Sequence, residues 1–365
     1  MKITVVDLFC GIGGLTHGLQ LAGLDVAAGF DIDQTCRYAY EENNDAIFVE
    51  ADVATISTAE ISRYYKNSDV KILVGCAPCQ PFSKYTMRYR KNSSKSSIES
   101  DNSNKSHSKW GLVESFAEKI RQILPDIVSM ENVPELVNTQ VFEKFLSTLR
   151  KSSYHISYDV VFCPDYGVPQ NRKRLVLLAS RLGKINLIAP EYTPDKYVTV
   201  KTAIGGLPKL KAGEKHADDV LHFCATLSKT NIKRIKASKQ GGTWRDWDES
   251  LQLDCHKKAT GKTYPSVYGR MLWDTPSPTI TTQFYGYGNG RFGHPEQDRA
   301  ISIREGAILQ SFPPDYKILS DDCAHSTKTV GTHIGNAVPV ELGRAIGNSI
   351  LKHLKGVNDY GQNNE

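Results

Sequence analysis

Two cysteines three positions apart, Cys76 and Cys79, close an apolar run in "LVGCAPCQPFS" (residues 73–83). Such a pair can be a redox couple, half of a metal site, or one nucleophile beside an incidental thiol. A zinc site needs a second ligand pair. The nearest pairings, His222 with Cys224 and Cys255 with His256, lack finger-like spacing. A redox couple belongs at a helix N-terminus in a thioredoxin-like unit, whereas Pro78 and Pro81 bracket Cys79. Taken alone, the segment also fits two packed cysteines. Two further stretches extend the chemistry. "ENV" at 131–133 ends another apolar run with Glu131, and "QNRKR" at 170–174 sets Gln170, Arg172 and Arg174 at alternate positions entering a third. Alternate positions on a strand share a face, and an acid at a strand's C-terminal edge faces the ligand crevice of an open α/β sheet. A thiol, a carboxyl group and guanidinium groups on neighbouring strand ends form a plausible nucleophilic site.

A second constellation opens the chain. "VVDLFCGIGGLTHGLQLAG" has the pattern strand, glycine turn, helix, with Gly11, Gly13 and Gly14 allowing a tight turn. Such a turn brings amide N–H groups and a helix N-terminus close to the anionic end of a ligand. "FDID" then places Asp31 and Asp33 at the end of the second strand, and Asp52 ends a further short segment. An acid at that place binds ribose hydroxyls in dinucleotide folds. The turn is neither GxGxxG nor a P-loop, so these residues alone leave NAD and S-adenosylmethionine both open.

The elements that position these groups follow from periodicity. Residues 2–9, 25–32, 70–76, 125–133, 156–162 and 174–180 are short, β-rich apolar runs, and segments such as "VESFAEKIRQIL" between them carry apolar residues at helical spacing. This alternation predicts an α/β fold with a mainly parallel sheet covered on both faces. Beyond about residue 190, Gly, Pro and Thr become frequent and the rhythm is lost, which predicts a second, irregular region. Helical spacing returns after Pro339 and predicts a terminal helix, with the last residues fraying.

Composition narrows the class. The chain has 365 residues, 40% of them hydrophobic and 23% charged, enough for two domains. No apolar run approaches the about 20 residues that span a bilayer, and the N-terminus has the pattern of a first strand rather than a leader, so a cytoplasmic protein is expected. Eight cysteines spread over this length are expected to stay as thiols. Residues 84–109 hold seven Lys/Arg against two acids, and 228–242 hold five and none, within a net charge of +5. The first is expected to be a long surface loop, and both segments suit phosphate contacts.

Together these stretches resemble the C5-cytosine DNA methyltransferase family over nearly the whole chain. "DLFCGIGG" resembles its cofactor motif, "APCQPFS" its nucleophile motif, and "ENV" and Q-x-R-x-R its base-binding motifs. "RAISIREGAILQSFP" (299–313) and "GNAVP" (335–339) resemble its two C-terminal motifs. The resemblance implies a Rossmann-like, doubly wound methyltransferase domain formed by residues 1–190 plus 326–357, with a smaller target-recognition domain and hinge over 191–325. It implies S-adenosylmethionine as methyl donor with no metal, and double-stranded DNA as partner. A monomer is expected, with a restriction endonuclease that acts on the same site without touching it as a further expected partner.

The same resemblance assigns roles. Cys79 is the nucleophile and Cys76 carries no catalytic requirement. Glu131 holds the base at N3 and the exocyclic amine, while Arg174 and Arg172 bind O2 or a nearby phosphate. Phe9, Gly11, Gly13, Asp31 and Asp52 line the cofactor site, which Asn336 and Val338 complete. A thiolate adds to C6 so that C5 becomes nucleophilic, although a free thiol has a pKa of about 8.5. Each preorganised electrostatic contact can contribute about 3 kcal/mol. The target must leave the stack, at a cost of a few kcal/mol. The rival readings are a tRNA cytosine-5 methyltransferase of the same fold and a non-catalytic DNA-binding relative.

Overall fold

The computed structural model describes residues 1–78, 103–258, 261, 265–320 and 326–362. Cys79 and the stretch from 84 to 102 lie outside the described residues. The chain divides into two compact units, the first being Met1–Phe162, Lys173–Ala189 and Leu342–Glu365, the second Cys163–Arg172 and Pro190–Glu341.

The first unit is built on seven strands: β1 (Ile3–Leu8), β2 (Val26–Asp31), β3 (Ile47–Glu50), β4 (Val70–Gly75), β5 (Ile127–Asn132), β6 (His155–Phe162) and β8 (Lys173–Ser180). Their order is β3-β2-β1-β4-β5-β8-β6. The first five run parallel, and β8 is antiparallel to both its neighbours. All six expected strands are present. The short β3 had no full apolar run to announce it. Central strands of a sheet covered on both faces favour apolar residues at successive positions, which is why β1, β4 and β5 are mainly apolar rather than alternating, with polar exceptions such as Asp7, Lys71 and Glu131.

Between the strands lie α1 (Gly14–Leu21), α2 (Arg37–Asn43), α3 (Thr58–Ser62), α4 (Ser103–Ile123) and α5 (Gln140–Lys151). The helix α4 begins at Ser103, so residues 103–109 belong to it and not to the expected loop. Ser, Asn and Lys cost only tenths of a kcal/mol per position in a helix, little enough for an apolar continuation to carry them. Phe116 of α4 packs on Phe145 of α5, ring centroids 5.7 Å apart, within a core that also contains Val6, Leu73, Val128, Met130 and Leu177. Each such buried side chain contributes roughly 1.5–3 kcal/mol before entropy is counted.

The second unit is irregular, as expected. It holds α6 (Val200–Ile204), α7 (Lys229–Ala237), α8 (Asp254–Lys257), α9 (Ile303–Leu309) and α10 (Thr327–Asn336), with the two-residue strands β7 (Gln170–Asn171) and β9 (Ser277–Pro278) pairing in parallel. Trp244, Trp247, Ile235 and Tyr287 form one of its cores. Arg299 and Glu305 are paired twice at 2.7 Å with both side chains buried. Burial opposes ionisation of Glu305, but the Arg299 bonds hold its carboxyl below the usual carboxylate range. The "RAISIREG" motif therefore contains the unit's own internal ion pair.

The expected boundaries shift in two places. Residues 163–172 group with the second unit, and the chain returns to the first at Leu342 rather than 326. The terminal helix, α11 (Val340–Gln362), runs past the point where fraying was expected. Its Gly343 and Gly347 let it lie close against α1, since a Cβ would stand 3.0 Å from the Leu15 carbonyl oxygen at one and 2.6 Å from the Ala22 Cβ at the other.

Candidate active site

Strand order reverses about β1, with β2 and β3 to one side and β4 and β5 to the other. Parallel strands that part in this way leave a ligand crevice beyond their C-terminal ends. The motifs of the first unit converge on that edge.

The glycine turn after β1 has three left-handed residues within five positions: Phe9 (φ 63), Gly11 (φ 51) and Gly13 (φ 86). A non-glycine residue at positive φ is uncommon and clusters at functional sites; Phe9 is held there by an edge contact of its ring with Phe116 at 6.4 Å. The Gly11 amide donates to Asp31 Oδ2 at 2.9 Å and the Asp33 amide to Asp31 Oδ1 at 2.9 Å. A carboxylate accepts about four hydrogen bonds, so holding the loop is compatible with binding hydroxyl groups. A Cβ at Gly11 would meet nothing within 4 Å, so the backbone there borders open space. The Ala51 amide bonds to the Asp31 carbonyl at 2.9 Å, which sets Asp52 one strand over from Asp31. Asp52 Oδ1 accepts from the Ala54 amide at 2.8 Å. Two carboxylates on adjacent strand ends, beside a glycine loop with open space at its backbone, fit a nucleoside-bearing cofactor.

Behind the loop lies a group the sequence did not single out. Asp7 is buried in β1 and accepts from Thr16 Oγ1 of α1 at 2.8 Å, while Thr16 also meets the Tyr40 hydroxyl at 3.1 Å. Burial raises its pKa to about 7; the Thr16 bond opposes this and the charge of Asp31 adds to it. The only sequence signal was an acid inside an otherwise apolar strand.

The second constellation gathers on β4, β5 and β8. Gly75 pairs with Met130, so the next positions, Cys76 and Glu131, stand side by side. Because β8 runs antiparallel to β5, its first residues lie at the C-terminal end of β5, where Glu131 pairs with Val176. That inversion brings Arg174 to Glu131, Nε to Oε1 at 2.8 Å, with side-chain exposures of 14% and 3%. Cys76 Sγ lies 2.9 Å from the other oxygen, Oε2. Asn132 donates from Nδ2 to the Ala77 carbonyl at 3.2 Å, which fixes the chain where it enters the segment containing Cys79.

Arg172 is placed differently. Gln170 and Arg172 share a face, as their spacing predicted, with Arg172 Nη1 3.2 Å from Gln170 Oε1, but the chain passes from the second unit to the first directly after Arg172. The buried Arg172 guanidinium donates to the carbonyls of Ile280 at 3.0 Å and Gly335 at 3.1 Å. Gln170 in turn donates to the Leu309 carbonyl at 3.1 Å and accepts from the Ile280 amide at 2.9 Å. Arg172 thereby borders the "GNAVP" turn, in which Asn336 is exposed and Val338 buried. The cysteine–histidine pairings are occupied by packing contacts. His222 bonds to Ser302 and the Pro208 carbonyl, Cys224 donates to the Lys211 carbonyl, and His256 stacks on Trp244 at 4.2 Å.

Residues 3–352 match the C-5 cytosine-specific DNA methylases. The chain belongs to that family. It is 49% identical over 358 residues to the Type II methylase M.HgiDII of Herpetosiphon aurantiacus, covering 97% of each chain. It is 30% identical to the Type II methyltransferase M.Eco47II of Escherichia coli, covering 97% of this chain and 80% of that one. Among solved structures, a putative DNA modification methyltransferase encoded within an E. coli prophage superposes with a TM-score of 0.71 at 20% identity, covering 97% of this chain and 100% of the other. The Spodoptera frugiperda DNMT2 mutant superposes with 0.62 at 17% identity, covering 94% and 98%. These two likenesses establish the fold. The protein is a DNA (cytosine-5-)-methyltransferase with a Rossmann-like catalytic sheet, and its family implies S-adenosylmethionine as the methyl donor. In this methylase the "DLFCGIGG" stretch builds the β1 turn, and the "ENV" and Q-x-R-x-R stretches meet at Glu131 and Arg174.

Proposed function

We propose that this methylase modifies C5 of a cytosine flipped out of a specific duplex DNA site, as the modifying partner of a restriction endonuclease. The observation that carries the reading is the Glu131 carboxyl group, ion-paired with Arg174 at one oxygen and hydrogen-bonded to Cys76 at the other, with Cys76 three positions before Cys79 in the chain. In this reading Glu131 binds N3 and the exocyclic amine of the base, and Arg174 binds O2. The Cys79 thiolate adds to C6, making C5 nucleophilic. S-adenosylmethionine, when bound, supplies the methyl group. Loss of the C5 proton to a base such as water then expels Cys79 and restores the ring. Asp31 and Asp52 orient the cofactor's nucleoside and the Phe9–Gly13 loop approaches its amino-acid end. For Asn336 and Val338 the motif match supports a cofactor role. Arg172 is assigned to positioning: it supports the "GNAVP" turn rather than the base.

Residues 191–325, within the second unit, are the proposed target-recognition region and hinge. Lys229, Lys233 and Lys236 are exposed on α7 at i, i+4 and i+7, a spacing that lines one helix face and suits phosphate contacts. A tRNA substrate, for an enzyme of the same fold, is the second reading. It is disfavoured because relatives at 49% and 30% identity are Type II DNA enzymes. A cytoplasmic, monomeric enzyme completes the proposal; among the described residues no helix is long and apolar enough to cross a membrane. The test is transfer of labelled methyl from S-adenosylmethionine to duplex DNA and bulk tRNA in parallel, with Cys79→Ser as control. Label recovered from DNA as 5-methylcytosine and lost in the variant is expected. Label in tRNA alone overturns the substrate.

A further inference from the structure

We infer that Cys76 is a positioning residue for Glu131, through a hydrogen bond from its thiol to the carboxylate. The motif resemblance leaves Cys76 without a role, and the inference reverses that implication; it rests on the proposed contact between Glu131 and the target base.

The terminal torsion of a glutamate is broad and roughly two-fold, so a carboxylate held at one oxygen can still pivot about that contact. Arg174 Nε stands 2.8 Å from Oε1 as an ion pair that lacks hydrogen-bond alignment, and Cys76 Sγ donates to Oε2 at 2.9 Å. An ion pair is non-directional, so the Cys76 hydrogen bond is the contact that sets the carboxyl plane. Neither contact is a product of flexible surface chains. Cys76 directly follows β4, its amide bonded to the Leu8 carbonyl at 3.3 Å, and Glu131 lies within β5 with its side chain 3% exposed. A thiol is ordinarily a weak donor, so the bond acts by orienting the carboxyl group rather than by its strength. A planar base read on two adjacent atoms requires the carboxylate to lie in its plane, and misplacement of a catalytic group by about 1 Å can cost a hundredfold in rate.

The test compares Cys76→Ala, Cys76→Ser and Glu131→Gln with the wild type, using labelled methyl transfer to unmethylated bacterial genomic DNA. Cys76→Ala is expected to lower kcat about tenfold, the size of one lost hydrogen bond at the upper end of the ordinary range, with the KM for S-adenosylmethionine unchanged. Cys76→Ser keeps a donor and is expected to recover most of the rate. Full activity of Cys76→Ala beside an impaired Glu131→Gln overturns the inference alone, as does equal loss in Ala and Ser. Full activity of Glu131→Gln overturns the underlying reading instead. Raman spectroscopy of the folded wild type supplies a second arm. An S–H stretching band displaced by hydrogen bonding, relaxing in Glu131→Gln and missing in Cys76→Ala, is expected, and an S–H band identical in wild type and Glu131→Gln excludes the contact.

Discussion

Arg172 and Gly335, 163 positions apart, are joined by a hydrogen bond of 3.1 Å from Nη2 to the carbonyl oxygen. With the Ile280 carbonyl also on Nη1, one side chain of the "QNRKR" motif braces the "GNAVP" turn, while its neighbour Arg174 serves Glu131. The two arginines should therefore fail differently. Arg172→Ala strands buried carbonyls at about 1–3 kcal/mol each, and urea denaturation should register that loss. Arg174→Lys keeps a cation beside Glu131 but loses the planar fork. Its stability should stay within about 1 kcal/mol of wild type while kcat falls roughly a hundredfold. The opposite pattern would exchange the two roles.

Asp31 ties the glycine turn to β2 through the Gly11 and Asp33 amides. Asp31→Ala removes both bonds and the acceptor offered to the ribose. Titration calorimetry should find S-adenosylmethionine binding weakened by about tenfold or more, the equivalent of at least 1.4 kcal/mol. Unchanged affinity would remove Asp31 from the cofactor site.

Asp7 supplies a pH signature. Its folded-state pKa is raised to about 7, above the ordinary carboxylate value, so between about pH 4 and 7 the native state binds a proton that the unfolded chain has lost. Its contribution is therefore favourable at low pH and is lost as pH rises towards 7. Asp7→Asn cannot ionise. The stability advantage of the variant over wild type should grow across that window, by on the order of 4 kcal/mol, and level off above it. A pH-independent difference would mean that Asp7 titrates normally.

The lysines of α7 can be tested by salt. Arg234 lies over the rings of Trp247 and Tyr268 and bonds to the Leu251 carbonyl, whereas Lys229, Lys233 and Lys236 are exposed. Replacing these three by Gln should flatten the dependence of DNA affinity on log salt by about 0.9 per phosphate contact removed. Cofactor affinity should not change. An unaltered slope would place the DNA elsewhere.

Much of this was legible in the chain itself. Six strands of the main sheet, β1, β2, β4, β5, β6 and β8, announced themselves as β-rich, largely apolar runs, and β3, with four residues, was too short to do so. The start of α4 at Ser103 was hidden because polar residues tolerate a helix without signalling one. Residues 163–172 looked like a continuation of the sheet domain, since a chain crossing between units leaves no compositional mark.

By itself, the sequence determined the family, the α/β alternation, the glycine turn and the order in which thiol, carboxylate and guanidinium groups arrive. These are local properties, set by side-chain periodicity and by motifs a few residues long. Only the tertiary structure decided which arginine meets Glu131, that Cys76 stands against it from 55 positions away, and that Asp7 is buried beside Thr16. The physical reason is strand register. Pairing of β4 with β5, and the antiparallel insertion of β8, are set by how whole strands pack, and no local pattern encodes which of their residues become neighbours.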